Sequence, residues 1–87
     1  MMIETKVKVV NALGLHARPA AQFVEKAKTY RSSITIQKDA TKVNGKSIIG
    51  IMGLGIEQGT TITILAAGED ERSASMELKE LIESLED

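Results

Sequence analysis

The chain has 87 residues, 43% of them apolar and only two aromatic (one Tyr, one Phe, no Trp), so one small domain with an aliphatic core spanning residues 1–87 is expected. It contains no cysteine, which excludes disulfides and thiolate metal sites. A net charge of −1 argues against a general nucleic-acid binder.

From Ile3 to Val10 the apolar residues Ile3, Val7 and Val9 alternate with Glu4, Lys6 and Lys8, the period of a half-buried strand. The N-terminus lacks an apolar run of signal-peptide length, and no stretch is long enough to span a membrane, so a cytoplasmic protein is expected. Asn11 to Leu15 follow, with Gly14 as the turn residue. Ala20, Phe23, Val24 and Ala27 recur at helical spacing and predict a helix from about Ala17 to Thr29. Ser33–Lys38 and Lys42–Asn44 read as a hairpin with Ile34, Ile36 and Val43 inward, although Lys38-Asp39-Ala40-Thr41 is weak turn chemistry. Ser47–Gly53 predicts a short helix interrupted by Gly50 and Gly53. Thr60–Ala66 is a β-branched strand between Gly59 and Gly68. Glu71–Leu85 carries Ala74, Leu78, Leu81, Ile82 and Leu85 on one stripe behind an Asp70 N-cap. The order β-α-β-β-α-β-α suits an α+β domain with helices on one face of an antiparallel sheet, but leaves the strand order open.

Two segments could carry chemistry. In Gly14-Leu15-His16-Ala17-Arg18-Pro19-Ala20-Ala21 the only His opens an amphipathic helix, where unpaired N–H groups and the helix dipole favour anions. An imidazole there can attack phosphorus, and Arg18 with the N–H groups of Ala17 and Arg18 can hold the charge. The same residues also fit a surface histidine capping a helix beside an unrelated arginine. The second segment, Gly45 to Gly55, holds Ile48, Ile49, Ile51, Met52 and Leu54 in a stretch too short to bury them all, which marks a partner surface. Gly45-Lys46-Ser47 is not a nucleotide loop, because position 40, where its first glycine belongs, is Ala. By itself Ser47 reads as an N-cap.

GLHARPAA and GKSIIGIMGLG, with His16 and Ser47 thirty-one residues apart, resemble the two signature segments of the HPr family. These are the histidine-phosphorylated carriers of the bacterial phosphoenolpyruvate-dependent phosphotransferase system, and the resemblance covers nearly the whole chain. It implies an open-faced β-sandwich with strand order 1-4-2-3 and three helices on one face. It also implies that His16 takes a phosphoryl group on Nδ1 from phosphorylated enzyme I and passes it to a histidine of sugar-specific enzyme II A-type proteins, with Arg18 stabilising it in transit. Ser47 matches the regulatory serine that a dedicated HPr serine kinase/phosphorylase modifies in many low-GC Gram-positive bacteria. Ala17, Ala21, Gln22, Ile48, Ile49, Met52 and Leu54 match the docking surface. A carrier rather than an enzyme is implied, monomeric, with no cofactor, metal, nucleic acid or membrane involved.

Leu13 departs from the pattern, since sugar-branch members often have a short polar residue just before the glycine. An apolar residue there resembles the nitrogen-regulatory branch, whereas Pro19 is typical of the sugar branch. A regulatory module that has lost the carrier chemistry would lack the histidine, which this chain keeps. The β-α-β-β-α-β order is also that of RNA-recognition folds, but those present aromatics on the sheet, and Phe23 and Tyr30 fall in or beside a predicted helix.

Overall fold

A computed structural model of the chain describes residues 1–86. The elements are β1 (Met2–Lys8), α1 (Ala17–Ala27), β2 (Ser33–Lys38), β3 (Thr41–Asn44), α2 (Ile48–Gly53), β4 (Thr61–Ala67) and α3 (Glu71–Glu83). The four strands form one antiparallel sheet in the order β1-β4-β2-β3, with three helices. β4, the last strand in the chain, is inserted between β1 and β2, so the sheet is completed only when the chain is nearly all present.

The period-two patterns set the register. Val7 lies opposite Ile62, Ile3 and Ile34 both lie opposite Ala66, and Ile36 lies between Ile64 and Val43. A shift by one residue would turn every one of these aliphatic side chains to solvent, which fixes the pairing. Against them pack Ala20, Phe23, Val24 and Ala27 of α1, Ile51 of α2, and Ala74, Leu78 and Ile82 of α3, in one continuous core. Both aromatic residues, Phe23 of α1 and Tyr30 just after it, are buried in this core, so neither is available for base stacking on the sheet.

Element ends differ from expectation by one or two residues, where backbone geometry and not hydrophobic pattern decides. Val9 still exchanges hydrogen bonds with Gly59 and Thr60 beyond the last β1 residue. Past Ala27, Lys28 and Thr29 close α1 with bonds to Val24 and Lys26. The hairpin turn works without glycine because Asp39 adopts a φ of 54°, a conformation that Asp tolerates better than most residues.

Asp70 needs a correction. It occupies the N-cap position of α3, but its side chain makes no capping bond. Its carboxylate instead accepts from the backbone N–H groups of Arg31 and Ser32 and from the Ser32 hydroxyl, tying the α1–β2 loop to α3. The Ser32 hydroxyl, followed by the Arg31 N–H, lowers the Asp70 pKa from 3.8 to about 2. A second tie joins the same loop to α3, where the Tyr30 hydroxyl donates to Glu77. Burial, then that bond, pushes the phenol above its ordinary range, and the same bond holds Glu77 below the usual carboxylate range.

Candidate functional site

The site begins at a turn that only glycine can make. Gly14 has a φ of +63°, and a Cβ there would lie 2.3 Å from the Ile56 carbonyl oxygen and 2.7 Å from the Glu57 Cα. The turn is held by the Asn11 side-chain amide donating to the Gly14 carbonyl at 2.8 Å and by the Leu15 N–H donating to the Ile56 carbonyl at 3.0 Å. Leu15 is buried, so the chain leaves the core at one defined point and presents the next residue outward.

That residue is His16, the N-cap of α1. Its backbone is extended (φ −73°, ψ −171°) and its carbonyl accepts from the Ala20 N–H at 2.9 Å. Its side chain makes no capping bond, and the residue is exposed. Ala17 and Arg18, also exposed, are the first two residues of α1, at the end where an α-helix directs its N–H groups outward. Pro19 follows as the third and has no N–H to leave unmet, while its ring is buried against the core. An exposed imidazole therefore stands at the positive end of an eleven-residue helix, with a guanidinium on the same turn.

The second segment folds beside it. Ser47 is the N-cap of α2, and its hydroxyl accepts from the Gly50 N–H at 3.1 Å. Ile51 points into the core, which turns Ile48, Ile49 and Met52 outward, Ile49 being 85% exposed. Leu54 is corrected: at 8% exposure it belongs to the core, so the exposed apolar surface ends at Met52. Leu54 lies three residues after Ile51 and so falls on the same inward side. Ala21 is half-buried and Gln22 exposed on α1.

His16 and Met52 meet across a cleft of about 420 Å³ that Leu15, Gly55, Ile56 and Glu57 complete. The two signature segments thus form one surface, with the imidazole at its centre and the α2 apolar residues on one side. Ser47, at the other end of α2 from Met52, does not line this cleft. Sequence reasoning missed the 55–57 wall of this cleft and the residue that holds it. The Lys38 ammonium, from the end of β2, donates to the Leu54 and Gly55 carbonyls at 3.0 and 3.1 Å. Nothing in the local pattern of Lys38 signals this contact, which joins residues far apart in sequence.

The family model for the HPr component of the phosphotransferase system, which is defined around its phosphorylation site, matches residues 3–84. The chain belongs to the HPr family. Phosphocarrier protein HPr of Borreliella burgdorferi is 49% identical over 84 residues, covering 97% of this chain and 95% of that one. The crystal structure of HPr-C-His from Thermoanaerobacter tengcongensis matches with a TM-score of 0.91 at 49% identity, covering 94% of this chain and 92% of that one. The HPr-like protein Crh of Bacillus subtilis is 48% identical over 73 residues, 84% of this chain and 86% of Crh. The crystal structure of Crh has a TM-score of 0.77 at 43% identity over 93% of both chains and is described as a dimer with a swapped domain.

The α+β open-faced sandwich and its 1-4-2-3 strand order are therefore those of HPr structures. The family is that of the HPr component of the phosphotransferase system, and the Borreliella burgdorferi relative is a phosphocarrier protein. The expected monomer is not general among these relatives, since Crh is described as a dimer. Among the described residues no helix is long and apolar enough to cross a membrane.

Proposed function

We propose that this HPr-family chain is a cytoplasmic phosphocarrier that accepts a phosphoryl group on His16 from phosphorylated enzyme I and passes it to a histidine of enzyme II A-type proteins. The observation that carries this reading is an exposed imidazole at the N-terminus of α1, next to Arg18 and bordered by exposed apolar side chains. In each transfer a ring nitrogen of the accepting histidine attacks phosphorus. The N–P bond to the donor histidine breaks as the new one forms, and the donor ring leaves with its electron pair. No water and no cofactor enter the balance. Arg18 and the first N–H groups of α1 offset the charge on the phosphoryl oxygens, which is where such a group most needs stabilising.

Incubation with phosphoenolpyruvate and enzyme I should introduce one acid-labile phosphoryl group, and His16→Ala should take up none. Full labelling of that variant would overturn the assignment. Arg18→Ala should change stability by no more than about 0.5 kcal/mol, because the residue is exposed. It should slow transfer by an amount equivalent to about 1.5–3 kcal/mol, the scale of a charge-assisted hydrogen bond.

Ser47 completes the reading as a site of regulatory phosphorylation by an HPr serine kinase/phosphorylase. Its support is a half-buried hydroxyl at the start of the helix that carries Ile48, Ile49 and Met52, where added charge would face an apolar partner surface. A second reading, signalling in a nitrogen-regulatory branch, is favoured by the apolar Leu13. The choice of acceptor in a transfer assay separates the two branches.

A further inference from the structure

Ile34, Ile36 and Lys38 of β2 share one side of the strand, because alternate residues point the same way. The two isoleucines are buried in the core, but the stripe ends in an ammonium. Lys38 is half-buried, and its Nζ donates to the carbonyls of Leu54 and Gly55 at 3.0 and 3.1 Å. Leu54 is the C-cap of α2, and Gly55 follows it with a φ of +63°. A helix leaves its last carbonyls without internal partners, and a lysine from another element can meet them.

The segment that Lys38 holds is the one on which the His16 turn rests. Gly55 leads directly into Ile56, whose carbonyl accepts from the Leu15 N–H at 3.0 Å. Gly14 packs closely on Ile56 and Glu57, and the buried Leu15 leads directly into His16. Gly55, Ile56 and Glu57 also line the cleft together with His16, whereas Lys38 does not. A run of covalent and hydrogen bonds thus connects the Lys38 ammonium to the backbone of His16 from outside the cleft.

We infer that Lys38 is a positioning residue for phosphoryl transfer: by fixing residues 54 and 55 it fixes both the 55–57 wall and the turn that aims His16. This rests on the carrier reading of His16 and adds to it a residue outside the cleft. Lys38 exchanges no proton in the transfer. It narrows the range of orientations the imidazole takes when it meets phosphorus, so its removal acts on the rate within the docked complex. The exposed side chains of Ile48 and Ile49 lie at the opposite end of α2 from the bonded carbonyls, so docking is spared.

The test is rapid-quench transfer from phosphorylated enzyme I at rising concentrations of this protein, which separates the maximal rate from the half-saturating concentration. Lys38→Met keeps the length of the side chain without its donors, and Lys38→Gln is too short to reach both carbonyls. Each should lower the maximal rate about tenfold, part of the hundredfold that a 1 Å misplacement can cost, and leave half-saturation within about twofold of the parent. Lys38→Arg keeps charge and donors and should recover the rate to within about threefold. Lys42→Met, which removes an exposed cation from the neighbouring strand, should match the parent. Hydrogen exchange at the Leu15 amide should quicken in Lys38→Met while the β4 amides keep their protection. An unchanged maximal rate, a rise in half-saturation alone, an equal loss in Lys42→Met, no recovery in Lys38→Arg, or faster exchange throughout β4 would overturn the inference. If the parent itself accepts no phosphoryl group, the carrier reading fails first, before any variant is compared.

Discussion

Replacing Gly14 by alanine tests how the site is anchored, and Gly55 supplies a matched reference. Both glycines have a φ of +63°, so alanine at either position carries the same backbone strain, about 1 kcal/mol for a left-handed residue. Their surroundings differ. A Cβ at Gly55 meets only the Lys38 ammonium, at 4.0 Å, whereas at Gly14 it would lie 2.3 Å from the Ile56 carbonyl oxygen and 2.7 Å from the Glu57 Cα. Those are backbone atoms and cannot rotate away, so the 56–57 segment must retreat by about 1 Å to reach ordinary contact. That retreat breaks the 3.0 Å bond from Leu15 to Ile56, worth about 1 kcal/mol, and overpacking adds about 1–2 kcal/mol. Gly14→Ala should therefore destabilise by about 3–4 kcal/mol and Gly55→Ala by about 1 kcal/mol. For a domain of this size that separates the two melting temperatures by roughly 10–15 °C. Urea titrations with a common m-value and thermal melts measure both. Equal destabilisation within about 0.5 kcal/mol would refute the steric argument, because strain alone cannot distinguish the two sites.

Ser47→Asp should melt at or slightly above the parent temperature, since a carboxylate is a good N-cap, while binding enzyme I much more weakly in calorimetry; a large fall in melting temperature would instead place its effect on the fold. The Asp70 pKa is lowered in the fold, so the stability it contributes is complete above its ordinary value of 3.8 and is lost as pH falls toward about 2. Asp70→Asn should flatten that part of the acid-denaturation curve without altering the profile near neutrality. Ser75 is buried and its hydroxyl has no partner among the described residues, so Ser75→Ala should be neutral or stabilising by up to about 1 kcal/mol in urea titration. A loss above about 1 kcal/mol would mean that the hydroxyl is hydrogen-bonded in solution.

What could be read from sequence divides by the range of the interaction. Ala20, Phe23, Val24 and Ala27 declare α1 by period, and Ile34 and Ile36 declare β2, because burial of a face is a local pattern. His16 and Arg18 are legible for the same reason, being an unusual pair at a predicted helix start. The placement of β4 between β1 and β2 is not written in any one strand and entered only through resemblance. Asp70 illustrates the limit: its position before α3 is local, but the partners of its carboxylate lie 38 and 39 residues away. Leu54 is not separable by sequence from the exposed apolar residues beside it, because a six-residue helix gives too little periodicity to tell its inward side from its outward one. Lys38 and the 55–57 wall carry no local signal because they come beside His16 only when the chain folds around the shared cleft.

The N-cap geometry of His16 also bears on reversibility. The backbone at this position is already committed to the helix through the bond from Ala20, and the ring makes no capping bond that would have to be given up. In the proposed transfer, loading the ring then requires no refolding of the helix, and unloading releases no stored strain. Little of the free energy in the N–P bond is spent on reshaping the carrier. The exchange between two histidines can stay close to equilibrium in both directions, so net flow is set by the supply of donor and the demand of acceptor.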